Sequence, residues 1–115
     1  MTHPQATSPV KQITAQELRA MLDQQVPLQL YDVRTDAERA IATIPGARHL
    51  DQAAAAELAD PDTDRDALIV FHCHHGIRSQ SAAMHFAALG FTNLCNVVGG
   101  IEAWSTAVDP AVPRY

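Results

Sequence analysis

Residues 68–79 have the sequence Leu-Ile-Val-Phe-His-Cys-His-His-Gly-Ile-Arg-Ser, which is the strongest indication of the fold class. Its apolar beginning, 68–71, predicts a strand that is buried on both faces, as the strands of a parallel sheet are. The composition of residues 79–89 predicts a helix, and Gly90 stands where a left-handed residue commonly ends one. A buried strand, a polar turn and a helix in this order indicate an α/β fold.

Strands and short helices alternate along the rest of the chain. Residues 14–17 and 35–38 fit the capping-box pattern, a hydroxyl followed three residues later by a carboxylate, and each predicts a helix start. Ile-Pro-Gly-Ala at 44–47 is expected to end the second helix, because proline cannot continue it. Alternation of this kind predicts a mostly parallel central sheet with helices on both faces. The other expected elements are a strand residue or two near Ile13, strands at 28–33, 49–50 and 94–98, a helix from Asp51 to Leu58, and a short last helix that holds Trp104.

Length and composition indicate a single domain. The chain has 115 residues and a mass of 12.5 kDa, which is typical of one domain. The first ten residues are polar and include two prolines, so we expect a flexible N-terminal arm at 1–10 and a folded domain at 11–115. Phe86 and Trp104 are expected to lie in the core of that domain.

Charge and hydropathy argue against two classes of partner. The net charge of −5, without a basic stripe, argues against nucleic acid. The longest wholly apolar run, 67–71, is far shorter than the roughly 18 residues that span a membrane, and the N-terminus lacks the basic start and apolar centre of a signal peptide. Two cysteines, Cys73 and Cys95, are too few for a disulfide scaffold, so the expected location is the reducing cytoplasm.

The turn after the central strand places Cys73 just before the start of a helix. Backbone N–H groups in such a turn converge into an anion-binding nest, and the helix dipole adds its positive end. Both favour a thiolate, so we expect the pKa of Cys73 to fall below its ordinary value of about 8.5. Arg78, and His74 or His75 when protonated, would add positive charge, while Gly76 lets the backbone curl closely. We expect Cys73 to be the catalytic nucleophile and the residues after it to bind substrate, namely His74, His75, Gly76, Ile77, Arg78 and Ser79.

The chain resembles the rhodanese-like family of sulfurtransferases over nearly its whole length, from near Ile13 to near Trp104. The most specific element of the resemblance is the turn 73–79. The family's usual Gly-His before Ile-Pro-Gly-Ala is replaced here by Ala42-Thr43, in a segment distant in sequence from the turn. The other matching segments are Tyr-Asp-Val-Arg at 31–34 with Glu38, Ile-Pro-Gly-Ala at 44–47, and Gly-Gly-Ile-Glu-Ala-Trp at 99–104.

The resemblance implies a small single-domain rhodanese-like fold and thiosulfate sulfurtransferase activity without a cofactor. The Cys73 thiolate would attack the sulfane sulfur of thiosulfate, or of another small sulfur donor, and release sulfite. The Cys73 persulfide would then pass its sulfur to cyanide or to a thiol, such as thioredoxin or another protein thiol. We expect a one-domain chain to leave Cys73 exposed enough for a protein thiol to reach it.

Two other functions remain open. The same fold, by resemblance, hosts phosphatases and arsenate reductases, whose catalytic loop is longer by one residue. Here four residues separate Cys73 from Arg78, and this tighter ring suits one sulfur atom better than a tetrahedral oxyanion. The remaining alternative is a non-catalytic binding module, although inactive relatives typically lack the cysteine.

Several residues near the turn have structural interpretations. Cys95 lies in an apolar strand and is expected to be a packed thiol, the alternative being a resolving cysteine for Cys73. Asp32 and Arg34 follow a strand and are expected to form an ion pair or to brace a turn. Adjacent histidines rarely converge on one ion, so no metal site is expected.

Two residues at the end of the turn have roles that the sequence leaves divided. Ser79 is expected to cap the helix, with a hydroxyl that also points toward the site. Arg78 either binds the anionic donor or braces the loop through hydrogen bonds to backbone carbonyls.

Overall fold

Five parallel strands form the centre of the molecule. The computed structural model describes residues 9–115. The strand order is β1-β5-β4-β2-β3, and every pair is parallel, which confirms the predicted α/β class with a parallel central sheet. The elements are, in chain order, β1 (Val10–Ile13), α1 (Ala15–Asp23), β2 (Gln29–Asp32), α2 (Asp36–Ile41), β3 (Arg48–His49), α3 (Gln52–Leu58), β4 (Ile69–His72), α4 (Ile77–Ala88), β5 (Leu94–Val97) and α5 (Gly100–Ala107).

The alternation of side chains along β4 explains why helices cover both faces of the sheet. All four residues of β4 are buried. Val70 packs into a cluster with residues of α1 and α5, whereas Ile69 and Phe71 pack into a second cluster with residues of α3 and α4. Each large apolar side chain buried in this way stabilises the fold by roughly 1.5–3 kcal/mol. Trp104 lies in the first cluster and Phe86 in the second, as expected.

The local signals for helix starts are confirmed. The backbone N–H of Glu17 donates to Thr14 Oγ1 at 3.0 Å, and the Glu17 carboxylate accepts from the Thr14 N–H at 2.7 Å. The same reciprocal pair forms at the start of α2, and Asp51 caps α3. Each cap satisfies backbone donors that a helix start would otherwise leave unpaired, so these helices begin where the sequence predicts.

Helix α2 ends earlier than the sequence predicts. It stops at Ile41, before the Ile-Pro-Gly-Ala motif at 44–47, and Ala42 is already extended, with φ −160°. The Ala42 carbonyl accepts a hydrogen bond from Arg34 Nη2 at 2.7 Å. This buried guanidinium takes the place of a helical N–H as the partner of that carbonyl, and Pro45 lacks the N–H that would pair with the Ile41 carbonyl if the helix went on.

The first strand begins within the segment predicted as a flexible arm. Residues 1–8 lie outside the described residues, so the arm at 1–10 stays a prediction for them. Val10 is the first residue of β1 and is only 1% exposed. None of the helices within 9–115 is long and apolar enough to cross a membrane.

Helix α5 begins against the turn that follows β4. The backbone N–H groups of Ile101 and Glu102 donate to the carbonyls of Cys73 and His74, at 2.9 and 3.2 Å. Gly100, at φ +56°, lies so close that a Cβ there would collide with both carbonyl oxygens. Helix α5 can therefore approach the turn at this distance only with glycine at its start.

Replacing Gly100 by alanine should destabilise the protein more than replacing a glycine of similar backbone but open surroundings. Gly46 has φ +88°, and a Cβ added there would have no atom within 4 Å, so Gly46→Ala should cost only the left-handed backbone strain of about 1–2 kcal/mol. Gly100→Ala adds the collision, which should cost roughly 1–3 kcal/mol more. Urea unfolding of both variants measures the difference, and equal losses would show that the approach of α5 is not restrictive.

Candidate active site

The turn between β4 and α4 folds around the sulfur of Cys73. Strand β4 ends at His72, so Cys73 is the first residue after the strand and lies at the carboxyl edge of the sheet. The backbone N–H of Gly76 donates to Cys73 Sγ at 3.1 Å, and Ser79 Oγ lies 3.4 Å from the same sulfur. The turn thus surrounds Sγ with hydrogen-bond donors.

These donors lower the pKa of Cys73. Burial alone raises the pKa of this thiol, because the thiolate loses its solvation. The Ser79 hydroxyl and the backbone N–H groups of Ser79, Gly76 and His75 hydrogen-bond to the sulfur and prevail over burial. The pKa therefore lies below the usual value of a thiol, in agreement with the sequence-based expectation.

Cys73 is buried, which corrects the expectation of an exposed cysteine. The residue is only 1% exposed, because the turn wraps its sulfur closely enough for hydrogen bonds from both sides. A reactant that reaches this sulfur must therefore present a slender group, such as a sulfur atom at the end of a chain. A broad partner surface cannot touch Sγ directly.

Ser79 does not cap α4, contrary to the prediction. The helix begins two residues earlier, at Ile77, with Gly76 as its N-cap at φ +100°. Only glycine adopts this backbone readily, and a Cβ at Gly76 would meet the Val97 carbonyl oxygen at 3.1 Å. Ser79 consequently lies inside the first turn of the helix, fully buried, with its hydroxyl directed at the cysteine sulfur as the sequence also suggested.

Asn96 is a site residue that the sequence analysis missed. It lies in β5, 3% exposed, and its Nδ2 donates to the Gly76 carbonyl at 3.1 Å. Its Oδ1 lies 2.5 Å from Ser79 Oγ. The available signal was a lone amide within an apolar strand, since a buried polar side chain requires partners.

Arg78 pairs with a carboxylate instead of with backbone carbonyls. Its Nη1 and Nη2 donate to the two carboxylate oxygens of Glu38 at 2.6 and 2.9 Å. This pairing lowers the pKa of Glu38 and raises that of Arg78. The Tyr115 hydroxyl donates to the same carboxylate at 2.8 Å. Arg78 thus ties α4 to α2, and no pattern in the sequence indicated either partner.

Aromatic rings stack beside the turn. The His74 ring lies 4.0 Å from the rings of both His75 and Tyr115, measured between centroids. Burial and the neighbouring His75 lower the pKa of His74, so this ring adds little positive charge at neutral pH. Ile77 is 77% exposed to solvent.

Asp32 and Arg34 form a buried ion pair, as predicted. The Arg34 guanidinium donates to both carboxylate oxygens of Asp32 at 2.7 Å. His72 is fully buried in β4 and therefore belongs to the strand, not to the turn. Burial lowers the pKa of His72 to about 4, so it is neutral at physiological pH.

The second cysteine is a packed thiol, as predicted. Cys95 is 4% exposed among apolar side chains, and burial raises its pKa. Both cysteines are free. The His, Cys, Asp and Glu side chains of residues 9–115 form no group of three or more that could hold a metal ion.

Residues 14–107 match the rhodanese-like domain family. The chain belongs to the rhodanese-like family. Thiosulfate sulfurtransferase GlpE of Pseudomonas aeruginosa is 39% identical over 83 residues, which cover 72% of this chain and 74% of that protein. Adenylyltransferase and sulfurtransferase uba4 of Ogataea parapolymorpha is 30% identical over 86 residues, 75% of this chain but only 22% of that protein. The crystal structure of a rhodanese-like domain protein from Staphylococcus aureus has a TM-score of 0.72 at 29% identity, and covers 92% of this chain and 99% of its own.

These rhodanese-like relatives support sulfurtransferase activity in general. The family predicted from the turn 73–79 and its flanking motifs is confirmed. The departure from the family pattern at Ala42 does not disturb the fold, because Ala42 is buried and its carbonyl pairs with Arg34.

The two cysteines should differ in reactivity toward a small alkylating reagent. Cys73 has a lowered pKa and Cys95 a raised one, so iodoacetamide at neutral pH should modify Cys73 first. Peptide mass spectrometry of the native protein measures the order. The Cys95→Ser variant should keep the fast reaction and Cys73→Ser should lose it. A pH midpoint for Cys73 at or above the value of about 8.5 for free cysteine would contradict this assignment.

Proposed function

We propose that the protein transfers a sulfane sulfur from thiosulfate or a persulfide donor to a thiol or cyanide through a persulfide on Cys73. The Cys73 thiolate attacks the outer sulfur of thiosulfate, a new S–S bond forms, and the old S–S bond breaks so that sulfite leaves with its electron pair. The acceptor then attacks the outer sulfur of the persulfide, and the Cys73 thiolate leaves. Ping-pong kinetics follow from this order.

The single observation behind this function is the contact of Cys73 Sγ with the Gly76 N–H inside a turn that lowers the thiol pKa. The same N–H groups that favour the thiolate would face the extra charge on a bound persulfide, as an oxyanion hole faces oxygen. The residues proposed to bind the substrate remain those predicted from the sequence, His74, His75, Gly76, Ile77, Arg78 and Ser79. The sulfurtransferase relatives at 39% and 30% identity support the same chemistry.

The burial of Cys73 favours slender reactants. Thiosulfate and a persulfide both present one terminal sulfur, and a protein thiol such as that of thioredoxin presents one sulfur at the end of a side chain. Two free cysteines suit a reducing compartment, so we place the activity in the cytoplasm. The reaction needs no cofactor, because each step is a displacement at sulfur.

Incubation with thiosulfate should load one sulfur atom onto Cys73. Intact-mass spectrometry should show the mass of one added sulfur, and cyanide should remove it with release of thiocyanate. Loading should be lost in Cys73→Ser and kept in the matched variant Cys95→Ser. If Cys95→Ser failed to load while still folded, Cys73 would not be the sole carrier.

The rival functions give different results in the same samples. A phosphatase or arsenate reductase would turn over a phosphate ester or arsenate without gaining a sulfur atom. A binding module would remain folded and show neither reaction. Either outcome would end the sulfurtransferase proposal.

Substitutions in the Arg78–Glu38 pair test how the sulfur donor thiosulfate binds. Thiosulfate carries two negative charges and would compete with the Glu38 carboxylate for the Arg78 guanidinium, whose side chain is 46% exposed. Glu38→Gln keeps an N3 residue that suits the capping box of α2 but removes the competing charge. The KM for thiosulfate should fall up to about fivefold, the equivalent of roughly 1 kcal/mol for an exposed ion pair.

Arg78→Ala is the paired variant, and it should raise the KM for thiosulfate by a similar factor. If both substitutions lower the melting temperature and leave KM unchanged, Arg78 only ties α4 to α2. Circular dichroism melts recorded beside the kinetics separate these two outcomes.

A further inference from the structure

The hydroxyl of Ser79 has two acceptors within reach and only one proton. Its oxygen lies 3.4 Å from Cys73 Sγ and 2.5 Å from Asn96 Oδ1. A serine hydroxyl donates a single hydrogen bond at full strength. The sulfur and the amide oxygen therefore compete for the same proton.

The orientation of the Asn96 amide is fixed by its other contacts. Its Nδ2 donates to the Gly76 carbonyl at 3.1 Å and to Gln12 Oε1 at 2.9 Å. A backbone carbonyl can only accept, so a flipped amide would place two oxygens against each other. The atom that faces Ser79 is therefore the amide oxygen, which can only accept a proton from it.

We propose that Asn96 is a positioning residue that sets the ionisation of Cys73 by competing with its sulfur for the Ser79 proton. This inference rests on the proposed role of Cys73 as the sulfur carrier. When Cys73 is a neutral thiol, its S–H can donate to Ser79 Oγ, and the Ser79 hydroxyl can donate to Asn96 Oδ1. Each of these two oxygens then has a donor. Once the thiol has lost its proton to solvent, the sulfur draws the Ser79 proton and leaves Asn96 Oδ1 without a donor.

This competition bears on both halves of the sulfur transfer. Cys73 acts first as a nucleophile and later as a leaving group. Thiolate nucleophilicity falls as the thiol pKa falls, whereas leaving-group ability improves. Because Asn96 Oδ1 competes for the Ser79 proton, the hydrogen bond from Ser79 to the thiolate is weakened. The pKa of Cys73 then stays between a value that would favour the nucleophile and one that would favour the leaving group.

The decisive measurement is the apparent pKa of Cys73 from the pH dependence of its alkylation rate. Asn96→Ala frees the Ser79 proton for the sulfur, so the pKa should fall by about 0.5 to 1, as expected for one redirected hydrogen bond. Ser79→Ala removes that donor, so the pKa should rise. In the double variant the value should match Ser79→Ala alone, because no proton remains to compete for.

Gln12→Ala provides the matched control. Gln12 accepts only from the Nδ2 group of Asn96, and the Gly76 carbonyl still fixes the orientation of the amide without Gln12, so the Cys73 pKa should not change. None of these variants alters the charged and titratable groups on the elements around the turn, which are Asp32 from β2, Arg34 just after it, Glu38 and Arg39 from α2, His72 from β4, His74 and His75 from the turn, Arg78 from α4, Glu102 from α5 and Tyr115.

The two half-reactions should respond in opposite directions in Asn96→Ala. Well above the pKa, attack on thiosulfate should slow by about twofold to threefold, and transfer from the persulfide to cyanide should quicken by a similar factor. Alkylation does not need sulfur transfer, so a failure to load sulfur would reject the proposed function without touching the ionisation result.

Two outcomes would overturn the inference. One is a rise in the Cys73 pKa in Asn96→Ala, which would mean that Asn96 only holds Ser79 in place. The other is a fall that persists in the Ser79→Ala background. The native protein offers a test that needs no stable variant, because the side-chain resonances of Asn96 should titrate with the Cys73 pKa. If these resonances stay constant through that titration, the proposal is wrong.

Discussion

The turn carbonyls face α5, and this contact fixes where the turn N–H groups point. The carbonyls of Cys73 and His74 accept from the first N–H groups of α5, so they are satisfied on the side away from the sulfur. Because the C=O and N–H of a trans peptide point in opposite directions, the His74 carbonyl that faces α5 directs the His75 N–H toward the sulfur, to which it hydrogen-bonds beside the Gly76 N–H. Since buried backbone groups need partners, a turn without α5 would have to satisfy its carbonyls elsewhere. Gly100 makes the approach of α5 possible, which links a residue far along the chain to the state of the cysteine.

The parallel pairing of β5 with β4 places Asn96 at the site. Strand β5 lies beside β4, with Asn96 paired to Phe71, so Asn96 stands next to the start of α4. Asn96 then joins the Gly76 carbonyl to the Ser79 hydroxyl. Cys95 and Val97, on either side of Asn96, pack into one core cluster and Leu94 packs into the other, so β5 and Asn96 with it are anchored on both faces of the sheet. The hydrogen bonds among Gly76, Ser79 and Asn96 therefore depend on the packing of the apolar side chains of β5.

The features that depend on neighbours along the chain can be predicted from the sequence. The capping boxes at Thr14 and Thr35, the buried strand β4 and the cysteine turn each have a short-range cause, namely hydrogen bonds within one helical turn or the alternation of side chains. Side-chain contacts that join distant segments were not predicted. The partner of Arg78 lies 40 residues away in Glu38, and the partner of Ser79 lies 17 residues away in Asn96. The role of Ser79 was misassigned because the left-handed backbone of Gly76, which starts α4 earlier, is a conformation that no local pattern specified.

The site favours a thiolate with dipoles more than with free charges. Arg78 pairs with Glu38, Arg34 and Arg39 both pair with Asp32, and the pKa of His74 is lowered, so these cations near the turn are already engaged with carboxylates or uncharged at neutral pH. The groups that hydrogen-bond to the sulfur are the hydroxyl of Ser79 and the backbone N–H groups of His75, Gly76 and Ser79. Dipoles of this kind act over a short range and in fixed directions, whereas a cation attracts any anion at a distance. A site built from them stabilises negative charge only where the donors point, which is at the sulfur of Cys73.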